Sequence, residues 1–351
     1  MKLDKMLFVV GNSRSGTTMM GRILGKHSDV YTFGELHFFG QLWSPASFSE
    51  LHKQDAEKLA SRLFCIQREG YRTHGNSSSF LGESQNFLNE LPKYPATPDR
   101  LFSAFLQYET LQNNKNIPCD QTPRNVFYID NILRLYPQAK IINMIRDPRD
   151  VLLSQKQKWK RRYLGGTDMP VKETIRDWIN YHPITISRIW HTAVTAADRF
   201  ADNERVISIY FEKLLAHPET TVSHVCEFIG IDYAASMLQV PQVGSSVNSD
   251  KPNQLGINPT RAHHWHANHN TEKDCDLPTE RRESLSSTEI YISQKINRTL
   301  MDKHNYIPVS TRPNIFGLAV NFLSFPMKLA AAFICNLDRI KNIRETLKRR
   351  L

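Results

Sequence analysis

The pattern of an apolar run, a glycine loop and a helix near the N-terminus constrains the fold most. Residues 6–10 form a short, apolar, partly β-branched run ending in a glycine, which is typical of a strand buried in a parallel sheet. Residues 17–26 follow with a helical stripe that contains Met20, Ile23 and Leu24. A glycine loop between such a strand and helix presents backbone N–H groups and the positive end of the helix dipole. It therefore favours a bound phosphate.

Further apolar runs and helical patterns alternate along the chain. Residues 140–145 and 205–209 read as buried strands, and residues 125–136 and 171–200 carry helical patterns. This alternation predicts an α/β fold, with a P-loop-like parallel sheet flanked by helices. Ligands in such sheets bind at the carboxyl ends of the strands.

The glycine loop lacks the lysine of an ordinary P-loop. That lysine reaches the β- and γ-phosphates of a nucleoside triphosphate, and the hydroxyl residue after it binds magnesium. Here Thr17 and Thr18 follow the second glycine, and Arg14 is the one cation within the loop. A guanidinium suits two oxygens of a single anionic group. The loop therefore predicts that an anionic group binds here and argues against hydrolysis of a nucleoside triphosphate. Alternatively, the loop is a glycine turn without a ligand.

A second anion site is indicated after the run at 140–145. Arg146 lies at the predicted strand tip, and Ser154 lies about two turns into the next helix. One cation and one hydroxyl could hold a separate phosphate, which suits a nucleoside phosphorylated at both ends. Alternatively, Arg146 pairs with Asp147 or Asp150, and Ser154 is solvated.

Several segments, taken in order, resemble the PAPS-dependent sulfotransferases, especially the bacterial type and the tyrosylprotein sulfotransferase branch. They are "SRSGTTMMGRILGKHSDV", "GELHFF", "DQTPRNVFYI", "IINMIRDPRDVLLSQ" and "SIYFEKLLAHPETTVSHVCEFIGI". The resemblance covers about residues 6–308. It implies an enzyme that moves a sulfuryl group from PAPS, 3′-phosphoadenosine 5′-phosphosulfate, to an acceptor hydroxyl or amine. PAPS would be the co-substrate, adenosine 3′,5′-bisphosphate the product, and no metal would be needed.

The resemblance also implies roles for individual residues. The 5′-phosphosulfate would be held by Arg14, Ser15, Gly16, Thr17 and Thr18, the 3′-phosphate by Arg146 and Ser154, with Tyr210 near the nucleotide. Gln121 departs from the family, because many relatives have lysine there; Arg124 is a nearby candidate to compensate. Candidates for a late nucleotide-contacting segment are Ser246, Arg261 and Trp265.

Two residues are candidates for the catalytic base that removes the acceptor's proton. Glu35 in "GELHFF" aligns with the catalytic glutamate of the tyrosylprotein branch, whereas many other sulfotransferases use a histidine, for which His37 is the candidate. We favour Glu35 and keep His37 as the alternative. Each could also be a structural residue. Arg14 would assist catalysis by stabilising charge on the leaving group.

Composition narrows the partners and the location. The net charge of +10 and the pI of about 9.3 favour anionic partners. Five scattered cysteines without a C-x-x-C pair indicate a reducing compartment, and no signal peptide precedes the first strand, so a cytoplasmic location is predicted.

The basic run 156–162 reads as a solvated helix face or as part of an anion site; nucleic acid is not expected. The histidines at 263, 264, 266 and 269 lack suitable partners, so a metal site is not expected there.

The C-terminal residues 309–351 are predicted to be a helical extension of a sulfotransferase domain at 1–308. Residues 315–337 are apolar but contain Pro326 and Lys328, which argues against a full membrane span. Residues 337–351 read as a basic amphipathic helix. The extension could lie peripherally on an anionic membrane surface, on the inner face, pack on the protein's own core, or contact a second copy in a homodimer.

The acceptor remains open among carbohydrate, lipid, small alcohol and protein tyrosine, because acceptor sites come from loops that the fold does not specify. Two other functions compete with sulfuryl transfer. One is a noncatalytic nucleotide-binding or membrane-docking protein. The other is an ATP-dependent P-loop kinase, against which the missing lysine argues.

Overall fold

The computed structural model describes residues 5–44, 50–71, 75–92, 94–160, 170–242, 251–257, 284–340 and 343–350. The strands are β1 (Met6–Gly11), β2 (Val30–Thr32), β3 (Ile117–Asp120), β4 (Ala139–Ile145), β5 (Val206–Tyr210), β6 (Pro241–Gln242) and β7 (Lys251–Leu255). The α-helices are α1 (Thr17–Gly25), α2 (Lys53–Glu69), α3 (Leu81–Glu90), α4 (Pro98–Gln112), α5 (Ile129–Leu135), α6 (Pro148–Lys156), α7 (Val171–Asn180), α8 (Pro183–Asp198), α9 (Phe211–Ala216), α10 (Pro218–Ile229), α11 (Ser287–Lys303), α12 (Ile315–Cys335) and α13 (Ile343–Arg350).

The main sheet has five parallel strands in the order β2-β3-β1-β4-β5. This confirms the predicted α/β class and the three predicted strands. The sequence pattern missed β3, because it has only four residues and contains Pro118, and proline is uncommon inside a strand. Residues 251–255 form β7, which pairs antiparallel with β6 in a separate two-stranded sheet.

The sheet is buried on both faces, which explains the continuous apolar runs of its strands. Along β1, Met6, Phe8 and Val10 face one hydrophobic cluster, and Leu7 and Val9 face another. Successive side chains of a strand point to opposite faces, so a strand covered by helices on both sides must be apolar throughout.

Two predicted helices are divided. The pattern at 171–200 forms α7 and α8, separated at Tyr181 and His182, because Pro183 restricts the residue before it and begins the second helix. The pattern at 125–136 begins as a 3₁₀ helix, Pro123–Tyr128, and continues as α5. The 3₁₀ segment brings Arg124 and Phe127 to the same end of the sheet as the glycine loop.

The C-terminal extension is helical, as predicted, but its apolar part is one continuous helix. The 21 residues of α12 run through Pro326 without a break. Ala332 is the buried residue of this helix, and most of its other side chains are partly or fully exposed. Membrane, own core and second copy all stay open as partners of α12. It lies against α7 and α8. The predicted domain boundary at 308 stays a prediction.

Candidate active site

The glycine loop between β1 and α1 has the backbone that an anion site requires. Gly16 is the residue before α1 and has φ 92°. A Cβ on Gly16 would lie 2.2 Å from the Phe211 ring, so a side chain there would need the ring to move. No side chain caps α1. The first N–H groups of the helix are therefore available for a ligand.

Arg14 links this loop to the predicted 3′-phosphate pair. Its Nε donates a hydrogen bond to Ser154 Oγ at 2.8 Å, and its carbonyl accepts one from Arg146 Nη1 at 3.3 Å. The sequence placed Arg14 at the 5′-phosphosulfate and the other two residues at the 3′-phosphate. The structure brings all three into one cationic cleft between the glycine loop and α6.

Three neighbouring side chains contact Arg146 and hold it in this cleft. Its guanidinium stacks over the Phe211 ring, with 4.5 Å to the centroid, and lies 3.8 Å from Asp150. Its carbonyl accepts a hydrogen bond from Trp190 Nε1. The expected competitor Asp147 instead pairs with Arg149, at 2.6 Å.

Two buried hydrogen-bond donors in this region have no partner among the described residues. They are Ser15 Oγ in the loop and Arg146 Nε. Buried polar groups are nearly always hydrogen-bonded in folded proteins. A hydroxyl and a guanidinium N–H are donors of the type that phosphate oxygens accept, so the residues present fit a doubly phosphorylated nucleotide.

Gln121, which stands where many relatives have lysine, reaches the glycine loop. Its amide Nε2 donates to Thr17 Oγ1 at 3.3 Å. The neutral side chain therefore occupies a position beside the predicted phosphosulfate. Thr18 begins α1 with Thr17. The contacts of Thr17 and Thr18 with the nucleotide stay predictions.

The two candidate bases contact each other. His37 Nε2 and Glu35 Oε2 are 3.1 Å apart. The Glu35 side chain is 45% exposed and that of His37 is 15% exposed, so the carboxylate is the group that an incoming acceptor can reach. His37 has φ 52°. Strained backbone of this kind is often found at functional sites.

Asp120, at the end of β3, supports the segment that carries both candidates. Its carboxylate accepts hydrogen bonds from Thr122 Oγ1 and Asn125 Nδ2, and the backbone of Leu36 also bonds to it. The backbone N–H of His37 donates to Thr122 Oγ1 at 3.4 Å. Burial raises the pKa of Asp120 to about 7. Sequence reasoning missed this residue because β3 was missed; an Asp directly before "QTPRN" was the available signal.

Tyr210 is the last residue of β5 and lies opposite Ile145, the last residue of β4, in the parallel register. Its hydroxyl hydrogen-bonds to His304 Nδ1, and His304 in turn contacts Asp198. These contacts join β5 to the end of α11. The predicted place of Tyr210 near the nucleotide stays a prediction.

Two lysines of the basic run are paired with carboxylates, and Arg161 and Arg162 lie outside the described residues. Lys156 pairs with Glu289 and Lys158 pairs with Asp177, so these cations connect α6 to its neighbours and are not a free anion site. Ser246, Arg261, Trp265 and the histidines at 263–269 lie outside the described residues. Within the described part of the chain, no group of three or more potential metal ligands occurs.

Comparisons with known proteins identify relatives of this chain. The profile of the sulfotransferase family matches residues 7–235. A putative protein-tyrosine sulfotransferase from Caenorhabditis briggsae is 25% identical over 67% of this chain and 69% of its own length. Protein-tyrosine sulfotransferase 1 from Danio rerio is 21% identical over 66% of this chain and 55% of its own length.

A solved structure matches most of this chain and nearly all of its own length. The sulfotransferase domain from the curacin biosynthetic pathway is 17% identical, with a TM-score of 0.47, and covers 86% of this chain and 98% of that chain. The chain spans about half of the Danio rerio relative and 26% of a 24% identical uncharacterized protein from Aquifex aeolicus, which matches 66% of this chain. Because the family profile matches more than half of the sequence, the chain belongs to the sulfotransferase family.

Proposed function

We propose that this protein transfers a sulfuryl group from PAPS to an acceptor hydroxyl. The observation that carries the proposal is the convergence of Arg14, Ser154 and Arg146 in one cleft at the carboxyl ends of β1 and β4. The open N-terminus of α1 and the unpaired hydroxyl of Ser15 border the same loop. These groups suit the 3′-phosphate and the 5′-phosphosulfate of one nucleotide.

The residues support an in-line transfer with a carboxylate base. The acceptor oxygen forms a bond to sulfur, while the bond between sulfur and the bridging phosphate oxygen breaks. Glu35 takes the acceptor's proton, and adenosine 3′,5′-bisphosphate leaves with the electron pair of the broken bond. Arg14 and the N–H groups of the loop stabilise the charge that develops on the leaving phosphate. His37 holds the Glu35 carboxylate in place through the contact at 3.1 Å.

Nucleotide binding separates this proposal from an ATP-dependent kinase. By isothermal calorimetry, we expect adenosine 3′,5′-bisphosphate to bind in the absence of magnesium, and magnesium to leave its affinity unchanged. ATP should bind more weakly, because it lacks the 3′-phosphate and the loop has Thr17 in place of lysine. Tighter, magnesium-dependent binding of ATP would contradict the proposal. Binding of the bisphosphate without transfer from PAPS to any acceptor would favour the noncatalytic alternative.

A second proposal concerns location: the protein docks on a membrane through α7 and α12. Along α12, Phe316, Leu323, Met327 and Ile334 are each at least 67% exposed. Their spacing of seven, four and seven residues places them on one helix face. Residues Val171, Ile175 and Trp178 form an exposed apolar stripe on the adjacent α7. We call these seven side chains the apolar ridge.

The ridge favours shallow insertion. Within the described chain, α12 is the helix whose length and composition would allow it to cross a membrane. It nevertheless contacts α7 and α8, and Lys328 packs over the Trp178 ring at 3.5 Å. A helix fastened to the protein along one side can place its other side in the lipid interface. A cytoplasmic location, on the inner face, is part of this proposal.

The cations of the extension contribute less than their sequence indicates. Arg339 pairs with Glu173 at 2.9 Å, Arg349 stacks over Phe127, and Arg350 reaches Asn180. These three are directed into the protein. Since only cations near the lipid surface contribute, each by about 1 kcal/mol, we expect apolar contacts to dominate.

Replacing Leu323 and Met327 together by aspartate should abolish flotation with lipid vesicles. The wild type should float with vesicles of phosphatidylcholine and phosphatidylglycerol, and high salt should weaken this only partly. Leu111→Asp, the same change on an exposed leucine at the end of α4, is the matched control and should float normally. Equal flotation of the double variant would contradict the proposal. A wild type that fails to float, but is a dimer dissociated by the double substitution, would show that a second copy covers the ridge.

A further inference from the structure

Three arginines lie together beside the candidate catalytic segment, with little negative charge between them. Arg124 is in the 3₁₀ helix Pro123–Tyr128, and Arg349 and Arg350 are at the end of α13. We call these three residues the arginine cluster. The nearby carboxylate is Glu345, which accepts a hydrogen bond from Arg349 Nη2 at 2.9 Å. Its side chain is 47% exposed, so the cluster keeps an excess of positive charge.

The cluster has buried donors without acceptors. Arg349 Nη1 and Arg350 Nη1 are buried and have no hydrogen-bond partner among the residues that the structure describes. Arg350 Nη2 donates a hydrogen bond to Asn180 Oδ1, and this bond is long at 3.4 Å. The Arg124 guanidinium forms no hydrogen bond or ion pair with the described residues. Unpaired buried donors destabilise a fold, so this arrangement suits an anion that accepts from several N–H groups.

Burial and mutual repulsion act together on these side chains. Burial lowers the pKa of Arg124, and the charge of Arg349 lowers it further. The pKa of Arg350 is also lowered by burial and by Arg124. Arginine nevertheless stays charged near neutral pH. A bound anion would remove the repulsion that the cluster otherwise retains.

Aromatic packing holds Arg349 in place. Its guanidinium lies over the Phe127 ring, 4.1 Å from the centroid, and 5.6 Å from the centroid of the Tyr128 ring. Stacking fixes the plane of a guanidinium and leaves its edge for hydrogen bonds. The Arg349 side chain is therefore oriented before an anion binds.

The cluster adjoins the candidate base and is distinct from the nucleotide cleft. The Tyr71 ring lies 4.1 Å from that of His37. Burial raises the pKa of Tyr71, and the nearby charges of Arg339 and Arg124 act against this rise. Thr122, two residues before Arg124, accepts the hydrogen bond from the His37 N–H. Arg14 and Ser154 contact each other on the nucleotide side. An acceptor lying across Glu35 and His37 would extend towards the cluster.

We propose that Arg124, Arg349 and Arg350 bind an anionic group of the acceptor, either a carboxylate, a phosphate ester or a sulfate ester. Such a group accepts paired hydrogen bonds from guanidinium edges. Arg349 and Arg350 lie beyond residues 7–235, which match the family profile, so this subsite belongs to the chain's own C-terminal segment. The inference rests on the proposed function, because it assigns the anion to the acceptor.

Inorganic phosphate is the smallest probe of the site. Thermal unfolding is measured with saturating adenosine 3′,5′-bisphosphate, so that the nucleotide's own phosphate sites are filled. Phosphate should raise the Tm of the wild type, by on the order of 2 °C at saturation. It should raise that of Arg344→Gln equally, because Arg344 is exposed on the same helix. Arg350→Gln should have a higher Tm than the wild type without phosphate, because repulsion is relieved, and should gain little when phosphate is added.

A pair of phenols tests whether the anion belongs to the acceptor. With PAPS, 4-hydroxyphenylacetate should have a kcat/KM at least about tenfold higher than that of 4-methylphenol, and Arg350→Gln should remove this preference. Equal rates on both phenols in the wild type would remove the acceptor role, leaving a site for free anions only.

Other outcomes separate this inference from the proposed function. An equal phosphate effect in Arg350→Gln and Arg344→Gln, or none in the wild type, would overturn the anion site whatever the activity. Failure to bind adenosine 3′,5′-bisphosphate would count against the proposed function. The comparison of the two variants with phosphate would still decide whether the cluster binds an anion.

Discussion

Replacing Glu35 by glutamine is expected to lower turnover by about 10²–10⁴-fold while leaving the affinity for adenosine 3′,5′-bisphosphate nearly unchanged. Glutamine keeps the shape of the side chain and its contact with His37 but cannot accept the acceptor's proton. The carboxylate is the more exposed member of the pair, which supports its role as the group that touches the acceptor. Steady-state turnover with PAPS and calorimetry with the bisphosphate measure the two quantities.

His37→Gln is the matched comparison. If His37 orients Glu35, its replacement should lower turnover less than Glu35→Gln does, because the base itself remains. If Glu35→Gln had normal turnover and His37→Gln had none, the histidine would instead be the base. Asp120→Asn should be avoided as a control, since Asp120 holds the same segment through Thr122 and Leu36.

Arg146→Ala is expected to weaken binding of adenosine 3′,5′-bisphosphate by at least about tenfold, and binding of adenosine 5′-phosphate much less. The physical reason is the loss of a charge-assisted hydrogen bond to a desolvated phosphate, which is worth about 1.5–3 kcal/mol. Calorimetry with both nucleotides measures the difference.

Two further variants make the result on Arg146 interpretable. Ser154→Ala keeps every charge and should act in the same direction with a smaller effect, because Ser154 contacts Arg14 in the same cleft. Arg188→Ala removes an exposed arginine from α8 and should leave both affinities unchanged. Equal losses for both nucleotides in Arg146→Ala would remove Arg146 from the 3′-phosphate site.

The sequence was sufficient to predict three of the five strands of the main sheet, and to place the glycine loop and the Arg146 turn after two of them. The strands β1, β4 and β5 are continuous apolar runs because both faces of the sheet are covered, and this signal is local. The glycine loop and the Arg146 turn follow such strands, so their meeting at one edge of the sheet follows from the topology. The family resemblance is confirmed by the profile match.

The remaining features depend on contacts between distant parts of the chain. The contact between Arg14 and Ser154 spans 140 residues, and no local pattern determines which phosphate site receives the Arg14 side chain. The helix α12 continues through Pro326 although proline disfavours a helix interior. In the sequence, Arg349 and Arg350 belong to a predicted basic amphipathic helix that could face an anionic membrane, yet tertiary packing on Phe127 and Asn180 directs them inward.

The contacts of the C-terminal extension with the candidate catalytic segment also bear on the order of folding. Gln41 Nε2 donates to the carbonyl of Arg339, a residue 298 positions later, and Arg339 lies over the Tyr71 ring beside His37. During synthesis at about 5–20 residues per second, these partners are separated by about 15–60 s. The sheet can close before then, because β1 to β5 are complete by Tyr210. We therefore expect a nascent chain to be competent for nucleotide before its acceptor side is assembled, with the long-range closure as the slow step.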